Sequence, residues 1–421
     1  MIFIYNFFLI LMAILFFGIV LIAFLVKPKL RAGFNQKIGR YKKFKKTDNN
    51  KQTILIHAVS VGEVNAVENF IKEIRKNNPN IELVLTTTTK TGRQVAQTKL
   101  SSTVDKIVYF PYDFSFSVKN FLNSIQPDKI IIAETEIWPN FTNIAKSKNI
   151  PIYIINGRIS PSSFNGYKKI SFFIKNVLNN YTKILMQTDG DADRIKEIGA
   201  FSNKVVVMGN LKFDISRTLS EEDVINLKNE LKLTDDPVFV AASTHTGEDE
   251  IVLNVYEKAK KIIPNLKLLI APRHPQRFGQ VENLLKKTEY TYGKRSQKDN
   301  FASNDVIMLD TMGELGKMFS IGMVAFIGGS FSNTGGHNPL EANIWGLPVI
   351  SGPTVFNFTD IYKVLTQNGG AKIVQDENEF SELLIKFLTD KAFYNQSVSN
   401  IQHIFKISRG ALNKALEEIG L

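Results

Sequence analysis

Several short stretches of this chain pair groups that move protons or grip anions with glycines that let a ligand come close. In Ser60-Val61-Gly62-Glu63 a carboxylate stands at a helix start, just past an apolar run that ends near His57. Two roles fit Glu63: it bonds the backbone of Ser60 as the acid of a capping box, or it accepts a proton from a hydroxyl as a general base. Gly62 is a poor helix residue and leaves room for a substrate. Glu134-Thr135-Glu136-Ile137-Trp138-Pro139-Asn140 follows an isoleucine-rich run. Acids there are expensive to desolvate without partners. Either one acid is paired and the other starts a helix, or one of them orients a sugar hydroxyl or a catalytic neighbour. Arg158, in Asn156-Gly157-Arg158-Ile159-Ser160 at the end of the next run, is a ready partner for them.

The second half offers anion-binding chemistry. Ala271-Pro272-Arg273-His274-Pro275 holds Arg273 and His274 in a turn stiffened by proline on both sides. Such an arginine clamps a phosphate or carboxylate with two bonds, or serves a structural ion pair. Asp310-Thr311-Met312-Gly313-Glu314-Leu315 opens a helix whose amides read a base or ribose, or is a bare helix start. Residues 323–342, MVAFIGGSFSNTGGHNPLEA, read as a strand, a glycine-rich loop and a helix. Asn338 is the expected N-cap, Pro339 sits in the first turn, and Glu341 closes a capping box or meets ribose hydroxyls. A glycine loop running into a helix N-terminus suits a phosphate.

Other signals fail. Asp189-Gly190-Asp191-Ala192-Asp193 begins like a calcium loop, but Arg194 and Ala200 stand where glycine and glutamate are required. Neither a Walker A motif nor a G-x-S-x-G elbow occurs. His57, His245, His274 and His337 fall at strand-to-helix turns, too scattered in sequence to argue for a metal site.

These groups need a scaffold, and the apolar pattern supplies one. Short β-branched runs occur at 53–58, 81–86, 106–110, 129–133, 152–155, 183–186 and 205–208. A second set lies at 238–242, 266–270, 306–309, 323–327, 347–351 and 371–374. Amphipathic segments separate them, as βαβ units require, and runs apolar on both faces mark buried parallel sheets. The pattern lapses into polar residues between 211 and 236. The reading is therefore α/β: two tandem doubly wound, Rossmann-like domains whose strand C-termini face a shared cleft.

Residues 1–26 carry no charge and are long enough to cross ~30 Å of hydrocarbon. Lys27, Lys29, Arg31, Lys37, Arg40, Lys42, Lys43, Lys45 and Lys46 follow, with no acid among them. That asymmetry predicts an uncleaved single-pass N-terminal anchor with the remainder on the cytoplasmic side. The basic segment fixes topology and touches anionic lipid, or its 31–40 part, with Arg31 and Arg40, helps hold an anionic lipid substrate. Net charge is +12, which favours anionic partners. The absence of cysteine excludes disulfides, thiolate metal sites and a cysteine nucleophile.

The ordered blocks RAGFNQKIGRY, HAVSVGE, TTTTKTG, FPYD, AETEIWPN, NGRIS, GNLKFD, STHTGE, APRHPQRF, DTMGEL and GGSFSNTGGHNPLEA span nearly the whole chain. Together they resemble the transferases that attach 3-deoxy-D-manno-octulosonic acid (Kdo) to lipid A precursors. The resemblance implies a GT-B fold, an inverting transfer in lipopolysaccharide core biosynthesis, CMP-Kdo as donor and the tetra-acylated precursor lipid IVA as acceptor. It implies no metal and no cofactor, and it turns Glu63 from cap into catalytic base. Arg273, His274, Gly313, Glu314, Asn338 and Glu341 are then donor contacts. Ser60, Glu134, Glu136, Arg158, Lys212, Arg31 and Arg40 are expected at the acceptor or cleft. The expected divisions are an anchor at 1–26, an acceptor domain at 27–210, a linker at 211–236, a donor domain at 237–390 and a returning C-terminal helix at 391–421. The partners follow: donor, lipid acceptor and inner-membrane lipid, without nucleic acid. Two rivals remain: a GT-B glycosyltransferase or epimerase using a UDP-sugar, and a membrane-tethered binder of polyanions. Basic residues cluster beside the apolar segment and at strand ends rather than in one aromatic-laced stripe, which favours an enzyme.

Overall fold

The computed structural model describes residues 1–26, 31–41, 51–215, 217 and 219–421. Of the basic segment, Lys27, Lys29, Lys42, Lys43, Lys45 and Lys46 lie outside these residues.

The chain divides into two compact units. One comprises Met1–Asp214 with Ser408–Leu421, the other Ile215–Ile407. The first holds a seven-stranded parallel sheet: β1 (Thr53–His57), β2 (Glu82–Thr87), β3 (Lys106–Tyr109), β4 (Lys129–Ala133), β5 (Ile152–Gly157), β6 (Lys183–Met186) and β7 (Val205–Val207), ordered 3-2-1-4-5-6-7. Alternation along each strand sends neighbouring residues to opposite faces. Leu55, Ile130, Ile132 and Ile154 meet Phe121, Phe141 and Tyr181 on one side. Ile54, Ile56, Ile131 and Ile155 meet Val64, Val67 and Phe70 on the other. Both faces are covered by helices, which is why the strands read as unbroken apolar runs.

The second unit repeats the plan with β8 (Val238–Thr244), β9 (Lys267–Pro272), β10 (Tyr292–Lys294), β11 (Val306–Met308), β12 (Val324–Ile327), β13 (Val349–Ser351) and β14 (Ala371–Ile373), ordered 10-11-9-8-12-13-14. Strand β10 has no counterpart in the sequence reading. It is a three-residue edge strand containing Gly293 and Lys294, too short and polar to show a period. The segment between the two apolar sets is not a free linker. Its helix Glu221–Glu230, capped by a Ser220–Asp223 capping box, buries Leu227 in the second unit.

The C-terminus returns to the first unit. Ala411, Ala415, Leu416 and Ile419 of the helix Ala411–Ile419 pack into the face that holds Val64 and Phe70. Asp214 locks the return by accepting hydrogen bonds from the backbone N–H of Gly410 (2.7 Å) and Leu412 (2.6 Å). The long helix Lys391–Ser408 precedes this point, so the return falls at about residue 408 rather than at 391.

The apolar N-terminus differs from the single helix expected. Among the described residues no single helix is long and apolar enough to cross a membrane. Ile2–Leu15 and Phe17–Val26 pass that test only as a pair, bent by 59°. Phe16 leaves helical geometry at φ −98°, ψ 7°, and Gly18 follows, a residue that stabilises helix poorly. The first helix also docks through its polar residues. Tyr5 donates to the Asp113 carboxylate at 3.0 Å, and Asn6 exchanges hydrogen bonds with Asn140.

Replacing Asp214 by Ala is expected to destabilise the first unit by ~1–2 kcal/mol, the usual loss for a helix cap. Chemical denaturation checks this through Trp138 fluorescence in a Trp345→Phe background, since each unit holds one of the two tryptophans.

Candidate active site

In a parallel sheet wound in both directions, ligands bind beyond the strand C-termini where the strand order reverses. In the first unit that point lies between β1 and β4. The segment after β1 carries Ser60 and Glu63, and the one after β4 carries Glu134 and Glu136. Glu63 is 8% exposed. One carboxylate oxygen accepts from the Val59 N–H at 2.7 Å and the other from the Ser60 hydroxyl at 3.1 Å. The capping reading is therefore partly met. The acid folds back on the chain like a cap, but onto Val59, and Ser60 donates to Glu63 instead of capping the helix. Gly92 lets the neighbouring helix approach this loop: a Cβ there would stand 3.2 Å from the Ser60 carbonyl carbon and the Val59 oxygen.

Glu134 sits at φ +56°, left-handed backbone that a non-glycine residue adopts under constraint. Asn156, in β5, is held likewise at +54°. Glu134 pairs with Arg158 at 3.3 Å and more loosely with Lys212 at 3.9 Å. This is the ion pairing weighed for one of the two acids. Glu136 forms no ion pair with a cation among the described residues. Burial pushes Glu63 up to about 7; the Glu134 and Glu136 charges push the same way, against the Val59 and Ser60 hydrogen bonds. Burial and Glu134 raise Glu136 as well. A carboxyl poised near neutrality accepts a proton readily at physiological pH. His57 is excluded from this chemistry: it is fully buried, stacked on Phe110 and bonded to the Thr86 hydroxyl at 2.9 Å.

In the second unit the order reverses between β8 and β12. Three histidines far apart in sequence meet there. His245 and His337 face each other through Nε2 at 2.9 Å, and the His274 ring stands edge-on to His245 with centroids 5.5 Å apart. Scatter along the chain hid this cluster; its only sequence signal was that each histidine falls at a strand-to-helix turn. Among the described residues no three such side chains are arranged to hold a metal ion. Glu248 shapes the loop beside them, accepting from the backbone N–H of His245, Gly329, Ser330 and Phe331 at 2.7–2.8 Å. Gly328 is obligatory here, because a Cβ would lie 2.5 Å from the Ser243 carbonyl oxygen. Arg273 is exposed and forms no ion pair among the described residues.

Other expected donor residues fall differently. Gly313, at φ +83°, faces open space. Glu314 is bound to Thr311, Arg295 and Lys317, which outweigh its burial and hold its carboxyl down to about 2. Its side chain is committed to these ion pairs. Asn338 does not cap the expected helix as drawn. The helix is the single turn Leu340–Asn343 with Pro339 before it, and Asn338 accepts from the Leu340 N–H at 3.2 Å while donating to Glu341 at 3.4 Å. So short a helix has little dipole to offer an anion.

Near the apolar N-terminus, Arg31 caps the helix Phe17–Val26 by donating to the carbonyls of Phe24 and Leu25. Phe24, Arg31, Phe34, Gln36, Arg93 and Tyr109 surround a pocket of about 640 Å³. Arg40 is exposed and does not line it.

Residues 32–215 match the family model of the 3-deoxy-D-manno-octulosonic-acid transferases. The chain is 35% identical over 368 residues to the 3-deoxy-D-manno-octulosonic acid transferase of Haemophilus influenzae, covering 87% of this chain and 86% of that one. It belongs to the Kdo transferase family. The enzyme of the same name from Aquifex aeolicus is 32% identical over 345 residues, 82% of this chain and 88% of that one. This Kdo transferase is a glycosyltransferase of lipopolysaccharide biosynthesis. Its fold is GT-B-like: UDP-GlcNAc 2-epimerase from Neisseria meningitidis, solved bound to UDP-GlcNAc, aligns with a TM-score of 0.55 at 16% identity, over 87% of this chain and 99% of that one. At that identity the likeness concerns the fold alone.

Because a raised carboxyl is protonated below its pKa, a Glu63 base is switched off as pH falls through about 7. The kcat/KM profile is expected to show an acid limb there, dropping about tenfold per pH unit. Glu136→Gln, which removes one like charge, is expected to move that limb to lower pH.

Proposed function

We propose that this Kdo transferase moves Kdo from CMP-Kdo to a lipid A precursor, lipid IVA, at the cytoplasmic face of the inner membrane, with Glu63 as the general base. The observation that carries the reading is a buried carboxyl raised to about 7 at the β1–β4 reversal, with a second acid beside it. Glu63 takes the proton of the acceptor sugar hydroxyl while that oxygen bonds to the anomeric carbon of Kdo. The bond from that carbon to the phosphate oxygen breaks, and its electron pair leaves with CMP. Attack on the face opposite the leaving group inverts the centre, through a transition state of oxocarbenium character.

The second unit is the donor domain in this reading. Arg273 offers positive charge, and His274 and the histidine pair offer N–H donors, for the nucleotide phosphate, and Gly313 leaves its backbone approachable. Glu314, Asn338 and Glu341 act on the donor through the loops they brace, a narrower role than direct contact.

The first unit is the acceptor domain. Its 640 Å³ pocket combines Arg31 and Arg93 with Phe24, Phe34 and Tyr109, a lining suited to a phosphorylated amphiphile. Arg93 lies one residue from Gly92, which packs on the Ser60 loop, so the pocket and the base share one helix start. The paired apolar helices Ile2–Leu15 and Phe17–Val26 then hold the enzyme at the bilayer that contains its acceptor.

Glu63→Ala is expected to lower turnover ~10²–10⁴-fold, the usual yield of a general base, while CMP binding measured by calorimetry stays within about twofold. Normal turnover in that variant would remove Glu63 from the mechanism. Tighter binding of UDP-sugars than of CMP-Kdo would favour a UDP-sugar enzyme instead.

A further inference from the structure

His245 and His337 meet nitrogen to nitrogen at 2.9 Å, which restricts how many protons the pair holds. Two bare lone pairs at that distance repel, so one Nε2 carries hydrogen and the other accepts it. With both rings neutral, the donor ring has an empty Nδ1 and the acceptor ring has an Nδ1–H. One added proton fills the empty Nδ1. The pair then carries a single positive charge and presents an N–H at each outer end. A second added proton would break the central hydrogen bond.

The surroundings decide when that proton is present. Arg273, Arg277 and His274 face the pair from the turn after β9, and Glu248 faces it from the helix after β8. The loop from Gly328 to Gly336 adds no charged residue. Glu248 is occupied by four backbone N–H groups. Arg277 is occupied by Asp249 and the Thr244 carbonyl. Arg273 stands uncompensated, and neither outer Nδ1 has a hydrogen-bond partner among the described residues. Burial first, then Arg273 and the neighbouring imidazoles, lower His337 to about 4; burial also lowers His245. The empty pair is therefore neutral at physiological pH.

We propose that the His245–His337 pair takes up one proton when a nucleotide phosphate enters beside it, becoming a two-pronged N–H donor only in the occupied site. The proposal rests on the donor-site reading above. The incoming negative charge compensates Arg273 and accepts from the new N–H, which favours the protonated pair. The proton comes from bulk water and returns there when the ligand leaves; no bond of the ligand breaks. Affinity for the phosphate then rises as pH falls, about tenfold per pH unit between the pKa values of the occupied and empty pair.

Calorimetry of the full-length protein in detergent tests this. The probes are CMP and its 5′-methyl ester, whose phosphodiester does not titrate near neutrality. Each is measured slightly above neutral pH in buffers of different ionisation enthalpy. The expected result is uptake of about one proton per methyl ester bound, read from the buffer dependence of the enthalpy. His337→Asn is expected to reduce it to near zero. Binding of the ester with the same enthalpy in every buffer would overturn the proton uptake and leave the donor site standing. Failure of both probes to bind would overturn the two together. If the variant does not fold, the wild-type proton count and its pH slope decide alone.

Discussion

Every strand in both sheets runs in the same direction. A parallel strand must be followed by a crossover, so all the turns that leave strand C-termini collect at one edge of each sheet. Where the winding reverses, at β1–β4 and at β8–β12, neighbouring crossovers go to opposite faces and a crevice is left open. Glu63, Glu134 and Glu136 stand at the first reversal. The histidine pair and the glycine loop stand at the second. The placement of these candidate residues depends on that one feature of winding.

The two reversals gather different titratable groups. In the first unit a carboxyl with two acidic neighbours is pushed toward neutrality by burial. In the second, Arg273 and three imidazoles gather without a free acid among the described residues, because the local carboxylates are already spent on structure: Glu248 holds the glycine loop and Asp249 holds Arg277. Opposite demands are met by the same scaffold through what each strand end exposes. Strain marks both places. Glu134 at +56° and Ser243 at +56° are non-glycine residues in left-handed backbone at the ends of β4 and β8, where packing over-determines the turn.

Much of this was legible in the residues. Apolar runs bounded by polar turns located nearly every strand, since a parallel strand buried on both faces has no polar side to blur it. Strand β10 was invisible because three residues on a sheet edge carry no period. Caps were read less well. Glu63 accepts from the Val59 N–H and the Ser60 hydroxyl rather than from the Ser60 N–H, and Asn338 precedes only a single helical turn. A capping pattern in sequence names the residues able to cap but leaves open which amide they reach, and backbone geometry decides that. Glu314 looked like a ligand contact in DTMGEL, yet Arg295, 19 positions away, claims it.

Local chemistry and apolar period determined, from the sequence alone, that two α/β units exist and that Glu63 opens a helix after a strand; the ordered blocks add a resemblance to one transferase family. Those properties involve neighbours within a few residues, or the run of the whole chain. Only the tertiary structure decided that His245, His274 and His337 converge, that Asp214 clasps the returning C-terminal helix across 196 positions, and that Glu134 pairs with Arg158 while burial raises the Glu63 carboxyl to about 7. Each depends on strand order and on the loss of water around specific atoms, and neither is encoded in spacing.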